Sequence, residues 1–166
     1  MRQSILRYFI SLLLVSLCIC SATSIFIISG SMKEDSEREM MYSVKLIEYN
    51  LDYSGDLNKQ IETLNPLAFS DDTRISVIDE KGKVLADTYK DDISSNHIKR
   101  EEVQEALHSS NHEGYAMRRS ETTNQPLLYA AYYKDNHIIR LSIPYSGVWG
   151  YFPELAPAFA ISILIS

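Results

Sequence analysis

The sequence predicts an α+β domain built on one antiparallel sheet, joined to a long N-terminal helix that continues out of a membrane span. Three observations predict it. Tyr8 to Met32 contains no Asp, Glu, Lys or Arg; Met40, Val44, Ile47 and Leu51 then recur at helical spacing; and the later sequence changes to short β-rich runs separated by turns.

A helix needs about 20 mainly apolar residues to cross a hydrocarbon core of about 30 Å, and residues 8–31 supply them. Arg2 and Arg7 with Cys20-Ser21-Ala22 resemble a signal peptide, but a signal's apolar region runs about 7 to 15 residues and this one continues through Ile28. The reading is a retained anchor. Neither Cys18 nor Cys20 follows the small residue that a lipoprotein cleavage site requires. The two arginines in residues 1–7 keep that end cytoplasmic and place residues 32–152 outside the cell membrane. Leu155 to Ser166 is a second charge-free run, giving only about 18 Å of helix at a rise of ~1.5 Å per residue. Residues 153–166 are therefore expected to be the truncated start of a second transmembrane helix.

All 22 acidic residues lie at Glu34 or later and 14 of the 16 basic ones at Lys33 or later, so the chain beyond the first span carries a formal charge of −8. That balance, without a basic stripe, excludes nucleic acid as an expected partner. Both cysteines lie in the span, which leaves the outer domain to be stabilised by its core and not by disulfides. About 120 residues is the size of one domain.

The outer elements follow in order. The stripe of Met40, Val44, Ile47 and Leu51 reads as the face that packs on the domain's own core; the sharper reading is that part of it also meets a second copy, and these four are the dimer-seam candidates. Tyr53-Ser54-Gly55-Asp56 breaks the helix, Leu57, Ile61 and Leu64 resume it, and Pro66 ends it. Arg74 to Ile78 and Lys83 to Asp87 form a hairpin closed by Gly82 in the left-handed conformation. Ser94-Ser95-Asn96 offers capping side chains to a helix over Ile98 to Leu107. Gly114 to Ser120, Leu127 to Tyr133 and His137 to Pro144 are three further strands, the last placing Ile139, Leu141 and Ile143 opposite Arg140 and Ser142.

No phosphate-binding loop, dinucleotide fingerprint or nucleophile elbow occurs, so no catalytic residue is expected in this chain. His108 and His112 read as exposed residues at a fraying helix end; a zinc role lacks a third ligand. Asp87, Asp91 and Asp92 read as a solvated acidic loop and not as a calcium site. No metal is expected. The last three strands carry Tyr115, Arg118, Arg119, Tyr129, Tyr132, Tyr133 and Arg140. Of these, Tyr115, Arg118, Tyr129 and Arg140 are the candidate ligand-binding residues, since aromatic rings and convergent donors suit a small anionic or amphipathic ligand. The alternative is that the tyrosines pack over the sheet and the arginines pair with surface acids.

The stretch Arg74 to Pro144 resembles the extracytoplasmic sensor domain of PhoR-like sensor histidine kinases. The resemblance rests on Arg74-Ile75-Ser76-Val77-Ile78-Asp79 with Gly82 to Asp87, Asn96-His97 followed by Arg100, Glu102, Val103 and Ala106, then Gly114, Arg118-Arg119-Ser120, Leu128 to Ala131 and Ile139 to Pro144. It implies a PAS-like, single-Cache fold between two membrane helices. It also implies a HAMP linker, a dimerisation helix pair and a kinase core beyond Ser166, where ATP and Mg would bind and a cytoplasmic response regulator would dock. No cofactor is expected in this chain, and none of its four histidines is a phosphoacceptor. Asn96, His97 and Arg100 read as structural, tying the short helix to the sheet.

The resulting expectation is the input portion of a membrane sensor histidine kinase acting as a homodimer. Two alternatives remain: the same sensor fold with another output, either a chemoreceptor or a cyclic-dinucleotide enzyme, and a membrane-anchored binding protein.

Overall fold

The computed structural model describes residues 2–70, 72–89, 96–120 and 124–147, with 150, 153 and 157. The expected start of a second membrane helix at 153–166, and Ser94, Ser95, Asp91 and Asp92, fall outside the described residues or almost wholly so. The chain divides into two compact units, Met1–Glu34 with Gly147–Ser166, and Asp35–Ser146.

The first unit contains most of the apolar run. Among the described residues one helix is long and apolar enough to cross a membrane. Its large side chains, from Ile5 through Ile28, are exposed, as a lipid-facing helix requires.

Helix α1, Arg2–Asn50, ends in the second unit. There α2 (Leu57–Leu64) follows, capped by the Asp56 side chain, which accepts from the Lys59 amide at 3.3 Å. A single 3-10 turn at Asn65–Leu67 leads to β1 (Arg74–Asp79) and β2 (Val84–Asp87). Helix α3 (Glu101–His108) precedes β3 (Glu113–Arg119), β4 (Pro126–Lys134) and β5 (His137–Pro144). The five strands form one antiparallel sheet in the order β2-β1-β5-β4-β3. This is the α+β architecture expected. Its last strand pairs with its first, so β5 lies at the centre and is buried at all but its end residues.

Side-chain alternation divides the sheet into two faces. Ile75, Val77, Ala86, Leu128, Ala130, Ile139, Leu141 and Ile143 form one, packed with Met40, Met41, Val44 and Ile47 of α1 and with Ile61 of α2. Truncating any of the larger members to alanine costs about 2–5 kcal/mol. Met40, Val44 and Ile47 are wholly buried here and Leu51 is partly buried against the same cluster. The stripe therefore packs into the module's own core, and of the four dimer-seam candidates Met40, Val44 and Ile47 have no surface left for a second copy while Leu51 keeps some. Lys45 to Glu113 at 2.5 Å and Lys134 to Glu48 at 2.8 Å tie α1 to the sheet's two far strands.

The other face carries a smaller apolar cluster, Ile78, Val84, Val103, Ala106, Ala131 and Ile138, beneath α3. Helix α3 approaches closely because Gly114 has no side chain: a Cβ there would meet the Glu102 carbonyl oxygen at 2.0 Å. The helix starts at Glu101, three residues later than the sequence suggested. Asn96 instead makes a turn of its own, accepting from the Ile98 amide at 2.9 Å, and Arg100 occupies the cap position without a side-chain bond.

Candidate functional site

The alternation that sends Ile139, Leu141 and Ile143 to the α1 face sends Arg140 and Ser142 to the α3 face. Register does the rest. Ser76 of β1 lies opposite Arg140 on one side and opposite Asp87 of β2 on the other, and Tyr129 of β4 lies opposite both Ser142 and Ala116. Arg118, two residues beyond Ala116, falls on the same face.

These residues form one polar chain across the sheet, closed from above by α3. Arg74 donates to Asp87 through Nε at 2.9 Å and Nη2 at 3.0 Å, and Ser76 Oγ donates to the same carboxylate at 2.8 Å. Arg140 Nη2 donates to Ser76 Oγ at 3.0 Å. Its Nη1 lies 3.5 Å from Glu102 Oε1, an ion-pair contact longer than a good hydrogen bond. Glu102, from the first turn of α3, accepts both terminal nitrogens of Arg118, at 2.5 and 3.0 Å. The Arg118 guanidinium lies 3.6 Å from the centre of the Tyr129 ring, and that of Arg140 lies 5.7 Å from it. Stacking on Tyr129 fixes the plane of the Arg118 fork.

The electrostatics follow from burial. Arg140 is only 3% exposed, and Glu102 and Asp87 are as deeply enclosed. Burial alone would raise the Glu102 carboxyl, but the hydrogen bond and charge of Arg118, with the charge of Arg140, hold it below the ordinary glutamate value. For Arg118, too, burial is outweighed by its bond to Glu102, and the guanidinium is shifted upward. Arg140 behaves oppositely: burial prevails over the attraction of Glu102, with Arg74 adding repulsion, and its value falls. Arg140 Nε is buried and makes no hydrogen bond. The five charged groups comprise three guanidiniums and two carboxylates, and the two partly exposed members are Arg74 and Arg118.

Three of the four candidate ligand residues, Arg118, Tyr129 and Arg140, thus meet on one face. Tyr115 does not join them. It lies an odd number of positions from Arg118, so its side chain packs with the α1 core; burial and the neighbouring Glu113 push its phenol upward. Asn96 and His97 lie at the hairpin turn. Asn96 Nδ2 donates to the Lys81 carbonyl at 2.9 Å, the His97 amide donates to Gly82 at 2.7 Å, and the Arg100 amide donates to His97 at 3.0 Å. Glu102 was missed as a site residue. Its signal was its position beside Val103 and four before Ala106, on the inward side of α3. Asp87, read above as part of a solvated acidic loop, is instead buried and accepts from Arg74 and Ser76, because its place in β2 turns it to the α3 side of the sheet.

The arrangement is suited to holding an oxyanion: guanidinium forks preorganised by an aromatic ring and a hydroxyl, within an enclosure that strengthens each charge contact.

No protein-family model matches the sequence, and no curated protein matches it. Solved structures do match by shape. Bacillus subtilis YkuI, a protein with an EAL domain solved with its substrate c-di-GMP and calcium, superposes with TM-score 0.54 at 18% identity, over 77% of this chain and 36% of that one. The ligand-binding domain of the Campylobacter jejuni chemoreceptor Tlp3 superposes with TM-score 0.50 in two complexes. With 4-methylisoleucine bound it is 17% identical, and with L-norvaline 16%; each match covers 72% of this chain and 55% of that one. The chain shares their fold. It spans between about a third and about half the length of these proteins.

Proposed function

We propose that this chain is the signal-input portion of a membrane two-component sensor histidine kinase of the PhoR-like type, with the sheet module outside the cell and residues 1–7 inside. The observation that carries the reading is α1 itself: one helical element holds the apolar candidate span and ends as the cover of the sheet. A stimulus that repacks the module acts on the element that enters the membrane. In this reading the kinase core follows residue 166. ATP and Mg bind there, and it phosphorylates a cytoplasmic response regulator.

A homodimer belongs to the same proposal. With Met40, Val44 and Ile47 internal, the seam would run along Tyr42, Leu46 and Tyr49, which recur at intervals of four and three on the exposed side of α1. A cysteine at Leu46 that crosslinks in membranes supports this seam, and no crosslink at Leu46 or Tyr49 removes it.

The shared fold with an EAL protein and a chemoreceptor favours a second reading, the same input module driving another output. Sequencing downstream of Ser166 separates the two: a HAMP-like helix pair and a histidine-bearing dimerisation helix support the kinase, and a different cytoplasmic domain overturns it. Joining residues 1–166 to a characterised kinase core and finding no regulated phosphorylation would count against sensing itself.

A further inference from the structure

We infer that Glu113, at the head of the edge strand β3, joins α3 on one face of the sheet to α1 on the other, so that a shift of α3 is delivered to α1. The inference rests on the sensor reading for its purpose and on the hydrogen bonds for its route.

The two helices cover opposite faces, and the apolar clusters beneath them share no residue. Movement of α3 therefore reaches α1 through the sheet or around an edge, and β3 is such an edge. The amides of Tyr133 and Ser120 donate to the carbonyls of His112 and Gln125. In that phase the even-numbered residues of β3 bond to β4, and the odd-numbered ones turn their main-chain groups outward. An open edge is normally blunted, and here α3 and the turn behind it do so. Glu105 of α3 accepts from the Tyr115 amide at 2.6 Å, and Ser109 Oγ donates to the Glu113 carbonyl at 2.7 Å.

The side chains of the same two β3 residues lead to the opposite face. Tyr115 packs with the α1 core, and its hydroxyl donates to Glu113 Oε2 at 3.1 Å, an oxygen that also accepts from Asn111 Nδ2 at 3.0 Å. Glu113 Oε1 accepts from Lys45 Nζ of α1 at 2.5 Å. The bonds from Glu105 to Tyr115, from Tyr115 to Glu113 and from Glu113 to Lys45 thus run from one helix to the other around the sheet. Apolar packing of α1 on the sheet is non-directional, whereas a charge-assisted bond fixes height and rotation. Lys45–Glu113 and Glu48–Lys134 both do this for α1, and the former is the one bonded onward to α3.

The test follows amide hydrogen exchange in the full chain in lipid nanodiscs, read at Gln104 to His108 of α3. Lys45→Met keeps the stem and removes the charge on the far side of the sheet; exchange at these amides should accelerate at least about fivefold, the worth of one hydrogen bond. Tyr115→Phe removes only the middle bond and should do the same, and the double variant should exceed neither. Lys134→Met strips the partner from Glu48, which is more deeply buried than Glu113, so it controls for general loosening of α1 and should leave α3 unchanged. Unchanged α3 exchange in Lys45→Met overturns the inference, as do additive effects of Lys45→Met and Tyr115→Phe, or equal acceleration by Lys134→Met. Should Lys45→Met fail to fold, Tyr115→Phe decides in the same way. In the kinase fusion both variants should shift phosphorylation equally, by at least about threefold. Altered α3 exchange with unaltered phosphorylation defeats the sensor reading alone, while altered phosphorylation with unaltered α3 exchange defeats this inference alone.

Discussion

Replacing Gly114 by alanine asks whether α3 really lies as close to β3 as the arginine cluster requires. The new Cβ would stand 2.0 Å from the Glu102 carbonyl oxygen and 2.6 Å from the Ala106 amide nitrogen, both backbone atoms that cannot rotate away. Return to ordinary contact at about 3.4 Å needs a withdrawal of roughly 1.4 Å. Overpacking of this kind costs about 1–3 kcal/mol. The same withdrawal stretches the Arg118–Glu102 bonds, now 2.5 and 3.0 Å, past useful range, and losing one charge-assisted bond adds about 1.5–3 kcal/mol. A combined loss of about 3–5 kcal/mol in a domain of this size corresponds to a fall in Tm on the order of 10–25 °C. Circular dichroism melts of the full chain in nanodiscs measure it directly. A melting point within about 2 °C of wild type would refute the close packing and, with it, the seating of Glu102.

Three further outcomes follow from other contacts. Gly82→Ala forces a side chain onto a backbone at φ +83 and within 2.3 Å of the Ile98 amide; urea unfolding should show a loss of about 1–3 kcal/mol at unchanged m-value, and an unchanged midpoint would contradict the turn geometry. Asp87→Asn leaves Arg74 and Ser76 facing a neutral, partly donating group; a loss of about 2–3 kcal/mol is expected, smaller than for a fully buried pair because Arg74 is partly exposed. Because Glu102 ionises below its ordinary value in the folded protein, its contribution is present above the unfolded value of about 4.3 and is lost as pH falls through the lower folded value. Stability measured against pH should therefore decline in the acid range below about pH 4.5, and Glu102→Gln should flatten that decline; an unaltered slope would remove Glu102 as its source.

Much of this fold was legible because period and turn chemistry are local. The alternation in His137 to Pro144 assigned Arg140 to the face opposite Ile139 and Leu141, and Gly82 announced its turn. The same arithmetic, applied to β3, would have separated Tyr115 from Arg118, three residues apart and hence on opposite faces. The helical stripe on α1 was equally visible, but periodicity identifies a face without naming what covers it, and the cover proved to be the sheet. Strand order was not legible: β5 returns to pair with β1 across more than fifty residues, a contact that no local pattern encodes. Glu102 was hidden for a related reason. An acid in the first turn of a helix ordinarily serves the helix dipole, and only the register of β3 against α3 reveals that this one faces two arginines.

The measurement that bears most directly on a membrane sensor with its module outside is sidedness. With Cys18 and Cys20 replaced by alanine, a single cysteine at the exposed Glu80 in the β1–β2 turn would be treated with a membrane-impermeant maleimide in intact cells and after permeabilisation. The account predicts full labelling in intact cells. Labelling only after permeabilisation would put the module in the cytoplasm and contradict the account at its centre.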